Sequence, residues 1–215
     1  MKHILERFTS QLKMVKVITF EGSDYSGKTA TLNHLSKEFE GRKGYCFNEG
    51  AVYPTGLSAR LSSISNQCDS AEKEFLYTMG YVLDNIQSVR NHPQDERVFF
   101  QDRYWSSAVA YGRFLNGDNS IHNHQDFKSL FLIPTSTILF SCSYQEKINR
   151  SNIRGRKSII DKFLLNESSR LVQLENEIER SLEGLPNIYR IDTTGMPIED
   201  VASKIKSYLT DNKII

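Results

Sequence analysis

Gly22-Ser23-Asp24-Tyr25-Ser26-Gly27-Lys28-Thr29 is the stretch that decides what fold to expect of this 215-residue chain. It fits the spacing GxxxxGK[ST] in full, and both flanks are what that spacing requires. Before it, the run 15–20 is β-branched and almost wholly apolar, as a strand covered on both faces should be. After it a helical stretch begins near Lys28. Glycines let the backbone wrap an anion without a Cβ clash, so that successive N–H groups point inward. The helix N-terminus adds the positive end of its dipole. In such a loop Lys28 reaches the β- and γ-phosphates of a nucleotide and the Thr29 hydroxyl ligates Mg²⁺. Gly22, Ser23, Asp24, Tyr25, Ser26, Gly27, Lys28, Thr29 and Ala30 are therefore the candidate ATP-binding residues, with Mg²⁺ as the accompanying ion.

Outward from the loop, apolar runs at 45–47, 97–101, 136–141 and 188–191 read as four further strands. Between them lie helical faces. Phe75, Leu76, Met79, Val82, Leu83, Ile86 and Val89 trace a long one that ends near Pro93, and 108–115 a shorter one. Leu171, Leu174, Ile178 and Leu182 mark another, and Ile198, Val201, Ala202, Ile205 and Leu209 a closing helix. Ile4, Leu5, Phe8 and Leu12 suggest a short amphipathic helix over 1–13. Strands alternating with helices imply right-handed crossovers. The expected fold is a P-loop NTPase-type, doubly wound α/β domain over 1–215, with a mostly parallel five-stranded sheet and helices on both faces. A short helical lid is expected at about 144–160. Ligands of such sheets gather at the carboxyl ends of the strands.

Composition narrows the partners. Lys plus Arg number 27 against 26 Asp plus Glu, so no global field favours nucleic acid or a membrane surface. No apolar run has the length of a membrane span, and the N-terminus lacks the apolar core of a signal peptide. Cys46, Cys68 and Cys142 match neither a zinc pattern nor a disulfide framework, which points to a reducing, cytoplasmic setting.

Position singles out a few charged residues. Asp102 and Arg103 follow the strand 97–101, and Glu49 follows the short strand 45–47. Arg150, Arg154, Arg156 and Lys157 form a local basic cluster beside Gly155. A charge run of this kind is ordinarily a solvated face. In a phosphoryl-transfer enzyme, arginines that close over the phosphates neutralise transition-state charge. His122 and His124 lie in a polar loop without a third metal ligand and read as surface residues, while Trp105 reads as packing beneath the site. A nucleotide-binding regulator of the GTPase kind would carry an NKxD guanine motif, which this sequence lacks.

The segment Ile18–Ala30 resembles the opening of the thymidylate kinases, relatives of the deoxynucleoside kinases, in which FEG-x-D-x-x-GK[ST] is typical. Asp102-Arg-Tyr-Trp-Ser-Ser-Ala-Val-Ala-Tyr111 is similar to that family's DRY-x-x-S-x-x-AY segment. Two weaker likenesses, at 49–56 and 191–201, follow in the family's order. The resemblance implies that Asp24 faces the acceptor's sugar and that Glu49 and Asp102 lie near the metal or the attacking oxygen. It further implies that Arg103 holds phosphate, that Tyr77 and Tyr111 surround the base, and that Arg150, Arg154 and Arg156 belong to the lid. A homodimer through the long helices is implied as well. The chain departs from the pattern at Tyr25, Asn48, Gly50, Tyr81 and Gly112; Tyr25, Asn48 and Tyr81 stand where the family carries arginines, and Gly112 where it often carries glutamine. Loss of bidentate arginine contacts favours a nucleoside acceptor, whereas the DRY segment favours a monophosphate. The expectation is ATP-dependent conversion of dTMP to dTDP, with phosphorylation of thymidine or another deoxynucleoside as the alternative.

Overall fold

A computed structural model describes residues 15–48, 64, 67–90, 97–123, 131–155 and 158–215. The helix expected over 1–13, Glu49 and its loop, His124, Arg156 and Lys157 lie outside these residues. Five parallel strands, β1 (Val15–Glu21), β2 (Tyr45–Asn48), β3 (Arg97–Asp102), β4 (Ser136–Ser141) and β5 (Ile188–Asp192), form one sheet in the order β2-β3-β1-β4-β5. Each lies within one residue of its sequence-based range. The connecting helices are α1 (Lys28–Glu38), α2 (Ser70–Arg90), α3 (Trp105–Asn116), α4 (Tyr144–Arg154), α5 (Ile159–Leu165), α6 (Ser168–Ser181) and α7 (Ile198–Asp211).

Strand alternation sorts the central side chains onto two faces. Ile18, Phe20, Ile138 and Phe140 point to one side, where Leu32 and Leu35 of α1 and Val201, Ala202, Ile205 and Leu209 of α7 close over them. Phe20 packs against Phe100 and Phe140, with ring centroids 6.1 and 5.1 Å away. On the other side Leu139 meets Ala110 of α3, Leu164 of α5 and Leu174 and Ile178 of α6. Thr19 and Thr137 face that side too and share a buried hydrogen bond of 3.0 Å. Glu21, two residues beyond Thr19, is carried to the same face by the same alternation. Tyr81 and Val82 of α2 form a third cluster with Tyr104, Trp105, Ala108, Val109 and Phe131, which makes Trp105 a packing residue as expected.

The strand order matters for function. β1 lies between β3 and β4 while the chain winds outward in both directions from it, so the loops after β1, β3 and β4 meet at one crevice. Two corrections to the sequence reading belong here. The basic stretch 144–154 is a helix whose inner face is core: Lys147 and Ser151 are fully buried, whereas Asn152, Ile153 and Arg154 in its last turn are exposed. The His122 side chain, read as a surface residue, is 3% exposed. The short 3₁₀ turn Ile121–Asn123 tucks it against α2, where Nε2 lies 3.1 Å from the Thr78 hydroxyl and 3.7 Å from Glu74.

Candidate active site

The loop 22–27 needs its glycines for two separate reasons. Gly22 has φ +137°, and a Cβ there would lie 2.3 Å from the Phe140 carbonyl oxygen of β4, a backbone atom that cannot give way. Gly27 has φ +97° and caps α1 without any side-chain acceptor, so the N–H groups of the first helical turn stay directed at the loop's concave side. Lys28, expected to reach phosphate from the loop, is not a solvated side chain. It is instead 5% exposed, with Nζ donating to the Ser23 carbonyl at 2.7 Å and to the Ser26 hydroxyl at 3.3 Å. Burial, seconded by the nearby Arg103, pushes its pKa down to about 8.

At the end of β3, Thr29 of α1 donates a short hydrogen bond to Asp102 Oδ2. The other carboxylate oxygen, Asp102 Oδ1, is buried and has no hydrogen-bond partner among the described residues. An orphaned anionic oxygen next to a hydroxyl is an incomplete set of hard oxygen donors, which suits Mg²⁺. The site residues therefore fit that ion.

Arg103 follows with a left-handed backbone, φ +63°, its N–H donating to the Phe20 carbonyl at 2.9 Å. This turns the guanidinium back over the phosphate loop. Nη1 reaches the Gly22 carbonyl and the Ser107 hydroxyl, both at 3.2 Å, and Nη2 binds Asp24 Oδ1 at 2.6 Å. Tyr111, one helical turn along α3, donates to Asp24 Oδ2 at 2.7 Å, and Arg103 lies 5.2 Å from its ring centroid. Burial works to raise the Asp24 pKa, but Arg103, Lys28 and the Tyr111 hydroxyl outweigh it and hold the carboxyl well below the usual range. The tyrosine that α2 contributes here is Tyr81, 4% exposed and electrostatically coupled to Arg103; burial holds its hydroxyl well above the ordinary value. Tyr77 is 43% exposed, and no contact joins it to this cluster.

The opposite flank holds the basic helix. Arg150 donates to the Tyr25 carbonyl at 3.2 Å, to the Thr193 hydroxyl at 3.0 Å and to the Thr193 carbonyl at 2.7 Å, and pairs with Glu146 one turn back at 2.8 Å. Arg154 is exposed, 5.9 Å from the Tyr25 ring centroid. Tyr25 itself has φ +63°; burial and a hydrogen bond to Asp161 of α5 push its hydroxyl up to about 12. Beneath the loop, Ser23 donates to Glu175 of α6 at 2.8 Å, and the fully buried Lys147 pairs with the same carboxylate oxygen.

Three residues received no role of their own in the sequence reading. Thr193, inside the likeness at 191–201, ties β5 to the loop by donating to the Ser26 carbonyl at 2.9 Å, and Glu175 buttresses Ser23. Both act across more than 150 residues, and Glu175 carries no sequence signal. Glu21, inside the stretch Ile18–Ala30, carried one. A carboxylate ending an otherwise apolar buried strand has to be neutralised by donors.

With a glycine-bounded loop and an acidic–basic pair at adjacent strand ends described, comparison with known proteins is informative. No protein-family model matches the chain. It is 24% identical to the thymidylate kinase of Bacillus pumilus over 90% of this chain and 94% of that one. It is 27% identical to that of Leuconostoc citreum over the same shares. A probable thymidylate kinase of Methanococcus aeolicus is 26% identical over 94% of this chain and 100% of its own. The solved thymidylate kinase of Candida albicans superposes with a TM-score of 0.61 at 19% identity, covering 93% of both chains. That of Ehrlichia chaffeensis gives 0.62 at 16% identity, over 91% of this chain and 98% of its own. The chain is thymidylate kinase-like. In this chain the phosphate loop is contacted by Arg103 from the end of β3 and by Arg150 of the basic helix, and Asp102 meets Thr29 beside it.

Proposed function

We propose that the protein transfers the γ-phosphoryl group of ATP to dTMP, giving dTDP. The observation that carries this reading is the cluster of Arg103, Asp24 and Tyr111 beside a complete phosphate loop. One guanidinium there can meet an anionic acceptor, and one carboxylate can meet a sugar hydroxyl. The names of the relatives support the same acceptor. Phosphoryl transfer is catalysed mainly by positioning and charge stabilisation. Lys28 and Arg103 supply positive charge beside the loop, and Thr29 and Asp102 would hold Mg²⁺, which would supply further neutralisation of phosphate charge. Arg154, at the C-terminal end of α4, is the described lid arginine best placed to add positive charge, with Arg156 as a further candidate, and Glu49 remains a candidate for the vicinity of the metal or the attacking oxygen. Arg150 would shape the loop through its carbonyl contacts. A small-molecule acceptor, a cytoplasmic setting and homodimerisation through α2 belong to the same reading. No described helix is long and apolar enough to cross a membrane.

A second reading, a deoxynucleoside kinase, is favoured by one observation. Tyr81 fills a place where the resembling family has an arginine, and a buried neutral hydroxyl contributes no charge towards a phosphate dianion. The deciding experiment compares kcat/KM for dTMP and thymidine at one ATP concentration, with products separated chromatographically. A preference for dTMP of tenfold or more is expected. A preference for thymidine replaces the first reading by the second.

A further inference from the structure

The carboxylate of Glu21 is fully buried at the last residue of the central strand, and its described hydrogen-bond donors come from one short segment. The Tyr104 backbone N–H donates to Oε1 at 2.9 Å, Ser106 donates to the same oxygen, and Ser107 donates to Oε2. These residues open α3, whose N-cap residue, Tyr104, provides no side-chain cap. A strand carboxylate therefore does from below what a capping Asp ordinarily does from within the chain: it accepts hydrogen bonds and places negative charge at the helix N-terminus. Residue 103 is the residue immediately before this clamp. Arg103 is held in a left-handed conformation that any L-residue with a Cβ resists, and its Nη1 bonds the same Ser107 hydroxyl that donates to Glu21. Desolvation raises the carboxyl's pKa, Ser106 and Ser107 lower it, and Arg103 and Lys28 add their fields.

We propose that Glu21 is the positioning residue of the acceptor site: by clamping 104–107 it fixes the turn that aims Arg103 at the acceptor's phosphate. The route runs from Glu21 through Ser107 and the Tyr104 amide to Arg103, without contact between Glu21 and any substrate. A left-handed arginine has a competing right-handed basin, and relaxation into it would swing the guanidinium away from Gly22 and Asp24. The phosphate loop, by contrast, keeps its glycines, Lys28 and the ties from Thr193 and Glu175 when Arg103 moves, so nucleotide binding depends on the clamp less than acceptor binding does. This inference rests on the reading that Arg103 meets the acceptor's phosphate.

The test is Glu21→Gln, which keeps the shape but removes the charge and turns one acceptor oxygen into an amide that cannot accept from a serine hydroxyl. Initial rates with dTMP varied at saturating ATP, and the converse, separate the two substrates. We expect kcat/KM for dTMP to fall 30-fold or more, with KM for ATP changing less than threefold. Hydrogen exchange of the Tyr104 amide should accelerate at least tenfold. Ser106→Ala, which removes one donor and touches neither Arg103 nor the loop, should move both readouts in the same direction by three- to tenfold, and it covers the case in which Glu21→Gln folds poorly. Equal losses for both substrates, or an unchanged Tyr104 exchange rate, would overturn the proposal by making Glu21 merely a structural cap. Failure of the functional reading looks different: the wild type itself would not turn over dTMP. The same two readouts, taken with the acceptor the wild type does use, would then still decide the role of Glu21.

Discussion

Arg103 and Arg150 flank the same phosphate loop, yet they are wired into the molecule differently. Arg103 is 14% exposed and bonds Asp24, a carboxylate of the loop itself. Arg150 is 23% exposed; it bonds the carbonyls of Tyr25 and Thr193, and its carboxylate partner is Glu146 on its own helix, one turn away. Removing the first leaves a partly buried anion without its counter-ion. Removing the second leaves carbonyls at a partly wet surface and a half-buried glutamate whose partner was on its own helix, whereas Asp24 is tied to Tyr111 of a different element as well as to Arg103. The acceptor side is thus a closed electrostatic circuit in which stability and function are coupled, whereas the donor side is a geometric brace that can be loosened cheaply.

Lys28 stands between the two sides, and its substitution should have the largest effect. Lys28→Met is expected to lower kcat by about 10³-fold, in the range of losing a charged transition-state stabiliser. Stability should move the other way. The folded-state pKa, about 8, lies below the unfolded value, so between these values the unfolded chain binds more protons and wild-type stability rises with pH. At pH 7 the wild type carries the burial cost in full, and Lys28→Met should raise Tm by a few degrees. Calorimetry beside a turnover assay checks both signs. A fall in Tm together with retained activity would mean that the lysine braces the loop and does nothing else.

Arg103→Ala should come next, with kcat/KM for the acceptor down about 10²-fold and folding destabilised by about 2–3 kcal/mol, somewhat less than for a fully buried pair. Arg103→Lys should recover little, because a lysine cannot bridge Gly22, Ser107 and Asp24 with a planar fork. The acid limb sharpens the point. The Asp24 pKa is depressed in the folded protein, so its contribution to stability is present above the ordinary carboxylate value and is lost only as pH falls through the depressed one. Without Arg103 that limb should move to higher pH, which urea titrations between pH 3 and 6 would reveal. Arg150→Ala, in contrast, should leave this limb in place, cost less than about 1 kcal/mol and act mainly on KM for ATP. Arg154→Ala should lower kcat by 10²-fold or more while leaving KM for ATP within a few-fold, as expected when contacts tighten in the transition state. If both lid variants keep kcat within a few-fold, α4 is a charged surface helix with a brace at its base.

Legibility in the sequence followed the range of the interactions. The five strands and the phosphate loop could be read because each is encoded within about ten consecutive residues, by apolar runs and by one spaced motif. The pairing of Arg103 with Asp24 was legible only as two residues at neighbouring strand ends, with the family resemblance supplying the rest. What stayed hidden was settled across the sheet. The core role of Lys147 depends on Glu175, and the burial of Lys28 depends on how tightly the loop closes. The division of the basic stretch into α4 and α5 turned on Gly155 at φ +70° and a Ser158–Asp161 capping box, both present in the sequence but overshadowed by the charge run. His122 was misread because a polar loop with two histidines looks solvated until α2 supplies Glu74 and Thr78.

The smallest expected effect on turnover probes that last region, far from either arginine. Gly112 sits in the middle of α3, where glycine is about 1 kcal/mol worse than alanine. It is tolerated because a Cβ at that position would lie 2.1 Å from Oε1 of Glu74. The Glu74 carboxylate is not a flexible end that can swing aside. It is buried, accepts from Asn116 at 2.7 Å and from Ser120 at 2.5 Å, and has His122 beside it. Gly112→Ala should therefore destabilise the protein by about 1–3 kcal/mol, as overpacking does, against its helix propensity. In a Glu74→Ala background the space is open, and the same substitution should stabilise by about 0.5–1 kcal/mol. The double-mutant cycle would then give a coupling of about 1.5–4 kcal/mol between residues that merely touch, measurable by urea unfolding. Throughout the cycle, KM for ATP should stay within twofold, because neither residue reaches the phosphate loop. A coupling near zero would mean that α2 shifts away from α3 at little cost, and that the buried Tyr81, carried on the same helix, is not held firmly against Arg103.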